Sequence, residues 1–148
     1  MPYAAHADVP TGPVLLYDGA CGFCSATVRF VLRHDRRTTL RFAPLQGRYA
    51  AGVVARHADL ADIDSLLWIE TPAEGGPEQV FVRSAAALRV AAYLAGVWRL
   101  ALVAWLAPRS IRDGLYDVVA RHRHQLFTPA ATCYVPPPEV RARFLDGG

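Results

Sequence analysis

Four consecutive apolar residues, Val14-Leu15-Leu16-Tyr17, run directly into the segment Asp18-Gly19-Ala20-Cys21-Gly22-Phe23-Cys24. A strand with one wet face alternates in polarity, so a strand that is apolar at every position is one covered on both faces, as at the centre of a partly parallel sheet. Beyond it, Phe23, Cys24, Thr27, Val28, Phe30 and Val31 recur at helical spacing, while Arg33, His34, Arg36 and Arg37 crowd the far end, where cations suit the helix dipole. The pattern predicts a central strand over residues 14–17 and a helix over residues 21–34 that starts on two thiols one turn apart.

A helix start exposes unpaired backbone N–H groups and the positive end of the macrodipole, and both favour a thiolate over a thiol. Cys21 lies nearer the expected start and is the candidate nucleophile; Cys24 lies one turn inside, toward the apolar face, and is the candidate resolving thiol. The two-residue gap suits a dithiol that opens and closes reversibly. The alternatives are a structural pair on a buried helix face, or half of a zinc site that Cys133 with His122 or His124 would complete, although these three form no second close pair of standard spacing.

Asp18, three residues before Cys21, can cap the helix by accepting a backbone N–H; its other reading is proton exchange with one of the thiols. Its charge would raise a neighbouring thiol pKa, against the helix dipole. Gly19 and Gly22 permit a tight turn and the close approach of a partner chain. Cys133 reads as a buried small hydrophobe or as a third redox thiol. His6, His34 and His57 are expected to be solvated, and Trp68, Trp98 and Trp105 to be core residues.

The rest of the chain extends the α/β reading. Residues 40–43 alternate and stop at Pro44, giving a second strand and a βαβ unit, and residues 47–62 read as one irregular helix. Two strand-like runs, residues 65–70 and 79–83, flank a loop with two glycines and two prolines and predict a β-hairpin. Ser84 is placed to cap a helix that runs to about Leu94 and closes at Gly96. Strand, helix, strand, helix, two strands and a helix is the order of a thioredoxin-like domain.

Residues 90–107 are nearly all apolar and about long enough to span a bilayer. Arg99 in their middle would cost about 2.5 to 3.5 kcal/mol on insertion, and Gly96 offers a break, so two short core helices are expected instead. A helix over residues 109–124 should present Ile111, Leu115, Val118 and Val119 on one face. Pro129 and Pro136-Pro137-Pro138 exclude internal helix from the tail, where residues 139–145 could form a last turn or two.

With 148 residues, 53% of them hydrophobic and 20% charged, the chain can bury one substantial core. A single domain over residues 1–148 is expected, with a core of about 13–95 and a helical extension of about 96–148. The net charge of +3 comes from sixteen arginines spread from Arg29 to Arg143, without lysine or a basic block, which argues against nucleic-acid binding. Three cysteines are too few for a secreted disulfide scaffold, and the first twelve residues have no signal-peptide pattern, so a cytoplasmic location is expected.

Beyond these local signals, the segment from Asp18 to Cys24 resembles the signature of the DCC family of thiol-disulfide oxidoreductases, named for Asp-x-x-Cys-x-x-Cys. Asp35, Leu40-Arg41-Phe42 with Gln46, Asp64-Ser65-Leu66, Arg83-Ser84 with Ala86, Pro108, Arg112-Asp113, Tyr116-Asp117, Ala120-Arg121 and Cys133 with Pro136 also resemble its pattern, over roughly residues 14–145. The resemblance implies a thioredoxin-like fold and exchange of a Cys21/Cys24 dithiol with a protein or small-molecule disulfide. A thiol-disulfide oxidoreductase of this kind is expected to need no dissociable cofactor and no metal, with an external thiol or partner reductase as electron source. Two departures stand out. Arg121-His122-Arg123-His124 replaces the family's Arg-Asn-Arg-Tyr, and Ile63-Asp64-Ser65 occupies the stretch where thioredoxins carry a cis-proline facing the cysteines. The alternative function is a non-catalytic interaction module that docks through the apolar segment around residues 98–105; a homodimer through that segment is a further expectation.

Overall fold

The computed structural model of the chain describes residues 12–18, 22–63, 65–72, 74, 76–126 and 137–145, with the side chains of residues 22–25 and 123–126 outside that description. Strand β1 (Val14–Tyr17) is followed by α1 (Gly22–His34), β2 (Arg41–Pro44) and α2 (Arg48–Arg56). Then come the antiparallel pair β3 (Leu67–Glu70) and β4 (Gln79–Val82), α3 (Ser84–Leu94), an 11-residue 3-10 helix (Gly96–Leu106) and α4 (Arg109–Leu126).

The four strands form one mixed sheet in the order β2-β1-β3-β4, with β1 parallel to β2 and antiparallel to β3. This is the arrangement of a thioredoxin-like fold. The unbroken apolar run of β1 is explained by its position, since alternate residues serve two cores. Leu15 and Tyr17 pack with Val28 and Val31 of α1, Phe42 of β2, and Val90 and Tyr93 of α3. Val14 and Leu16 pack on the opposite face with Ala50 and Val53 of α2, Leu67 and Ile69. A one-residue slip would exchange the two sets, so the register is set by burial on both faces.

Several elements differ from the sequence expectation for identifiable reasons. Residues 47–62 divide into α2 and a 3-10 turn (Ala58–Leu60), with the break at His57, whose side chain is drawn away to Glu78. Ser84 does not cap α3. Arg83 holds the N-cap position at φ 53°, and the Ser84 hydroxyl donates to Asp113 Oδ1 instead. That hydrogen bond is the main influence holding the Asp113 carboxyl below the usual range, with Arg109 and Arg83 adding to it against the opposing effect of burial.

The larger difference lies after α3. Ala95 and Gly96, at φ 58° and 60°, end that helix, and none of the residues in the following 3-10 helix is buried. Only the first of the two expected core helices belongs to the core. Trp68 is buried, whereas Trp98 is half-buried and Trp105 exposed. On α4 the expected apolar face, Ile111, Leu115, Val118 and Val119, stays exposed, although Leu115 and Val119 also border a cavity shared with α1 and α3. The C-terminal segment returns to the sheet, where Phe144 forms a parallel bridge with Phe42 and stacks on its ring.

Candidate active site

The candidate site lies where the central strand passes into α1. β1 carries no charge up to Tyr17, and Asp18 is the first polar residue after it. The Leu45 N–H donates to the Tyr17 carbonyl (2.8 Å), extending the β1–β2 ladder by one bond, and Gln46 Nε2 then donates to Asp18 Oδ1 (2.9 Å). The carboxylate is thereby tied to the end of the neighbouring strand. Gln46 belongs to the pattern read in the sequence, but its role is visible only once β1 and β2 pair.

Gly19, Ala20, Cys21 and Cys133 fall outside the described residues, as does the Cys24 side chain. The Cys24 backbone is the third residue of α1, and the first turn of that helix contains no acidic side chain. Its N–H groups and dipole therefore face no carboxylate of their own helix, the setting that favours a thiolate. At the opposite end Arg33 and His34 occupy the last turn.

The segment before β3 is the second wall expected of such a fold. Ile63, Ser65 and Leu66 lie there, Asp64 being outside the described residues. Ser65 is buried, and its hydroxyl has no hydrogen-bond partner among the described residues. Sequence reading marked this stretch for its missing proline and not for the hydroxyl. An unpaired buried hydroxyl is a tertiary property.

Beside α1 lies a cavity of about 370 Å³ between that helix, α3 and α4. Thr27 and Phe30 of α1, Val90 and Leu94 of α3, Trp98 and Val119 contribute to its walls. The lining suits an apolar group and offers nothing to an ion.

The remaining sequence candidates do not converge here. His34 Nδ1 lies 2.8 Å from the Phe30 carbonyl, and its ring packs with Phe30 and Trp98. His57 contacts Glu78 at 3.0 Å, so neither histidine is simply solvated. His122 is exposed and His124 has no described side chain. Among the described residues no group of three or more His, Cys, Asp or Glu side chains could hold a metal ion.

A polar hub missed from sequence closes the C-terminal end of α1. The Asp35 carboxylate, fully buried, accepts hydrogen bonds from the Arg143 guanidinium and the Tyr93 hydroxyl, and its other oxygen accepts from the Arg37 and Thr38 N–H groups. The Tyr93 oxygen in turn accepts from the Thr39 and Leu40 N–H groups. The hub joins the end of α1, the approach to β2, α3 and the C-terminal segment, and so holds the helix that carries Cys24.

The model of the DCC1-like thiol-disulfide oxidoreductase family matches residues 15–129. The chain belongs to that family. It is 32% identical over 133 residues to "Uncharacterized protein YuxK" of Bacillus subtilis (strain 168), covering 89% of this chain and 93% of that protein. It is also 31% identical over 123 residues to "DCC family protein At1g52590, chloroplastic" of Arabidopsis thaliana, covering 82% of this chain and 68% of the plant protein. No solved structure matches. The family match spans β1 through α4, so the outward-facing 3-10 helix and α4 lie within the family region.

Proposed function

We propose that the chain is a thiol-disulfide oxidoreductase in which Cys21 is the nucleophile and Cys24 the resolving thiol. The observation that carries this reading is the passage of the central strand β1 into α1, whose first turn holds Cys24 and no acidic side chain. The Cys21 thiolate attacks one sulfur of a substrate disulfide. A Cys21–substrate S–S bond forms, the substrate S–S bond breaks, and the departing sulfur leaves as a thiolate that takes up a proton. Cys24, on losing its own proton, attacks Cys21 Sγ, and the second substrate thiolate departs. Two electrons have then passed from the protein dithiol to the substrate, and an external thiol or partner reductase returns them by the reverse steps. Asp18, held by Gln46, organises the loop between strand and helix. The cytoplasm, where thiols are kept reduced, is the compartment that suits this chemistry.

The test is a disulfide-reductase assay of the wild type beside Cys21→Ser and Cys24→Ser, with thiol titration of each. Cys21→Ser should abolish turnover, and Cys24→Ser should accumulate a mixed disulfide on Cys21, visible by mass spectrometry. Turnover that survives Cys21→Ser would overturn the assignment of the nucleophile. A wild type whose two thiols never oxidise to a disulfide, and which retains zinc, would overturn the redox reading itself.

A further inference from the structure

In a 3-10 helix the side chains at i and i+3 eclipse, so Val97, Leu100, Val103 and Leu106 fall in a single row about 18 Å long. They are 69%, 72%, 63% and 86% exposed. On α4, Ile111, Leu115 and Val118, at i, i+4 and i+7, add a second outward apolar stripe. An apolar surface of this continuity on a small protein marks a docking face.

The charge around it indicates what docks. No Asp or Glu occurs from residue 79 to residue 112, a stretch holding the five arginines 83, 89, 99, 109 and 112. Arg83, Arg89 and Arg109 reach Asp117, Glu70 and Asp113. Arg99, which is exposed, has no carboxylate partner among the described residues, whereas Arg112 is tucked over the Trp105 ring at 4.5 Å with two of its guanidinium nitrogens buried. The face is therefore apolar with uncompensated positive charge. A second copy related by a two-fold axis would bring the same excess of arginine over acid against itself. A bilayer with anionic headgroups offers hydrocarbon to the aliphatic row and phosphate oxygens to the exposed Arg99 guanidinium.

We propose that the 3-10 helix Gly96–Leu106 and the outer side of α4 seat the protein on the surface of an anionic lipid bilayer, lying in the interface without crossing it. No helix among the described residues is long and apolar enough to cross a membrane. Trp98 of this helix packs against Phe30 and His34 in the C-terminal half of α1 and so ties the docking segment to the body of the protein. The sequence expectation of a second core helix is what the exposure of this segment corrects.

The test is flotation of the full chain with vesicles of phosphatidylcholine alone or mixed with phosphatidylglycerol. The protein should float with the mixed vesicles and stay behind with the neutral ones, and added salt should weaken binding. Leu100→Glu with Leu106→Glu should lower binding at least tenfold, and Arg99→Glu should lower it without touching the apolar row. Circular dichroism monitors folding; if the double variant fails to fold, Arg99→Glu alone carries the test. A wild type that floats with neither vesicle overturns the proposal, as does binding that these substitutions leave unchanged. A dimer on size exclusion that Leu100→Glu dissociates, without vesicle binding, would assign the face to a second copy. These readouts involve no thiol chemistry and stand apart from the redox assay.

Discussion

Gln46 donates its side-chain amide to the Asp18 carboxylate across 2.9 Å, joining the residue that follows the central strand to the turn that follows its parallel neighbour. The bond fixes a negative charge three residues before Cys21 in the chain. Such a charge opposes thiolate formation, whereas the start of α1 promotes it. Asp18→Asn should remove the opposing influence, lowering the pH at which the dithiol becomes reactive and raising its alkylation rate near neutrality by on the order of tenfold. The alkylation rate measured against pH checks this; an unchanged profile would mean that the carboxylate does not act on the thiols. Gln46→Ala, which frees the carboxylate from its amide donor, should move the profile the other way.

The Arg143–Asp35 pair should be one of the costliest places to cut. The Asp35 side chain is fully buried and that of Arg143 is 13% exposed, and removing the cation leaves a carboxylate in the interior without its compensating charge. Arg143→Ala should destabilise the fold by about 3 to 5 kcal/mol. Tyr93→Phe, which deletes the hydroxyl shared by Asp35, Thr39 and Leu40, should cost about 1 to 3 kcal/mol. Urea denaturation of both variants measures the order, and a near-neutral Arg143→Ala would show that water replaces the guanidinium.

Glu78 sets a pH dependence. Burial pushes its pKa up and is the largest single influence, but hydrogen bonds from Arg56 and His57 and their charges together hold it below the usual 4.5. A carboxyl lowered on folding contributes stability that is fully present above its unfolded pKa and is lost as pH falls through the folded one. The stability gap between wild type and Glu78→Gln should therefore be constant near neutrality and close only as the pH falls below about 4.5. Tyr49 titrates in the opposite sense at the other extreme. Burial, with the Glu78 charge assisting, raises it to about 12, so the stability it contributes is lost as pH rises from 10 toward that value. Denaturation midpoints across pH test both arms.

Two leucines that look alike in the sequence should respond differently. Leu15 is 0% exposed and packed between β2, α1 and α3, so Leu15→Ala should cost about 2 to 5 kcal/mol. Leu100 is 72% exposed, and Leu100→Ala should change stability by no more than about 0.5 kcal/mol. Thermal denaturation of the pair separates them; a large loss at Leu100 would show that the 3-10 helix is packed in solution.

The order of elements through α3 was legible because each has a local signature. These are the unbroken apolar run of β1, the helical spacing after Cys21, and the Gly/Pro loop between β3 and β4. The polar hub was not legible, because Asp35, Tyr93 and Arg143 are scattered along the chain and only the packed sheet brings them together. Ser84 illustrates the same limit on a smaller scale. A serine before a helical run is a natural cap, yet Asp113 on α4 supplies a charged acceptor that outcompetes the local backbone.

By itself the sequence determined that β1 is central, that a helix begins at the two-cysteine motif, and that Asp18 precedes the thiols at fixed spacing. These follow from periodicity, and periodicity is a local property. Only the tertiary structure decided which apolar faces find a partner. The apolar residues of β1 face helices on both sides of the sheet, whereas Leu100 and Leu106 stay 72% and 86% exposed. Hydropathy records what a side chain gains by leaving water, but whether it leaves is settled by whether another element reaches it.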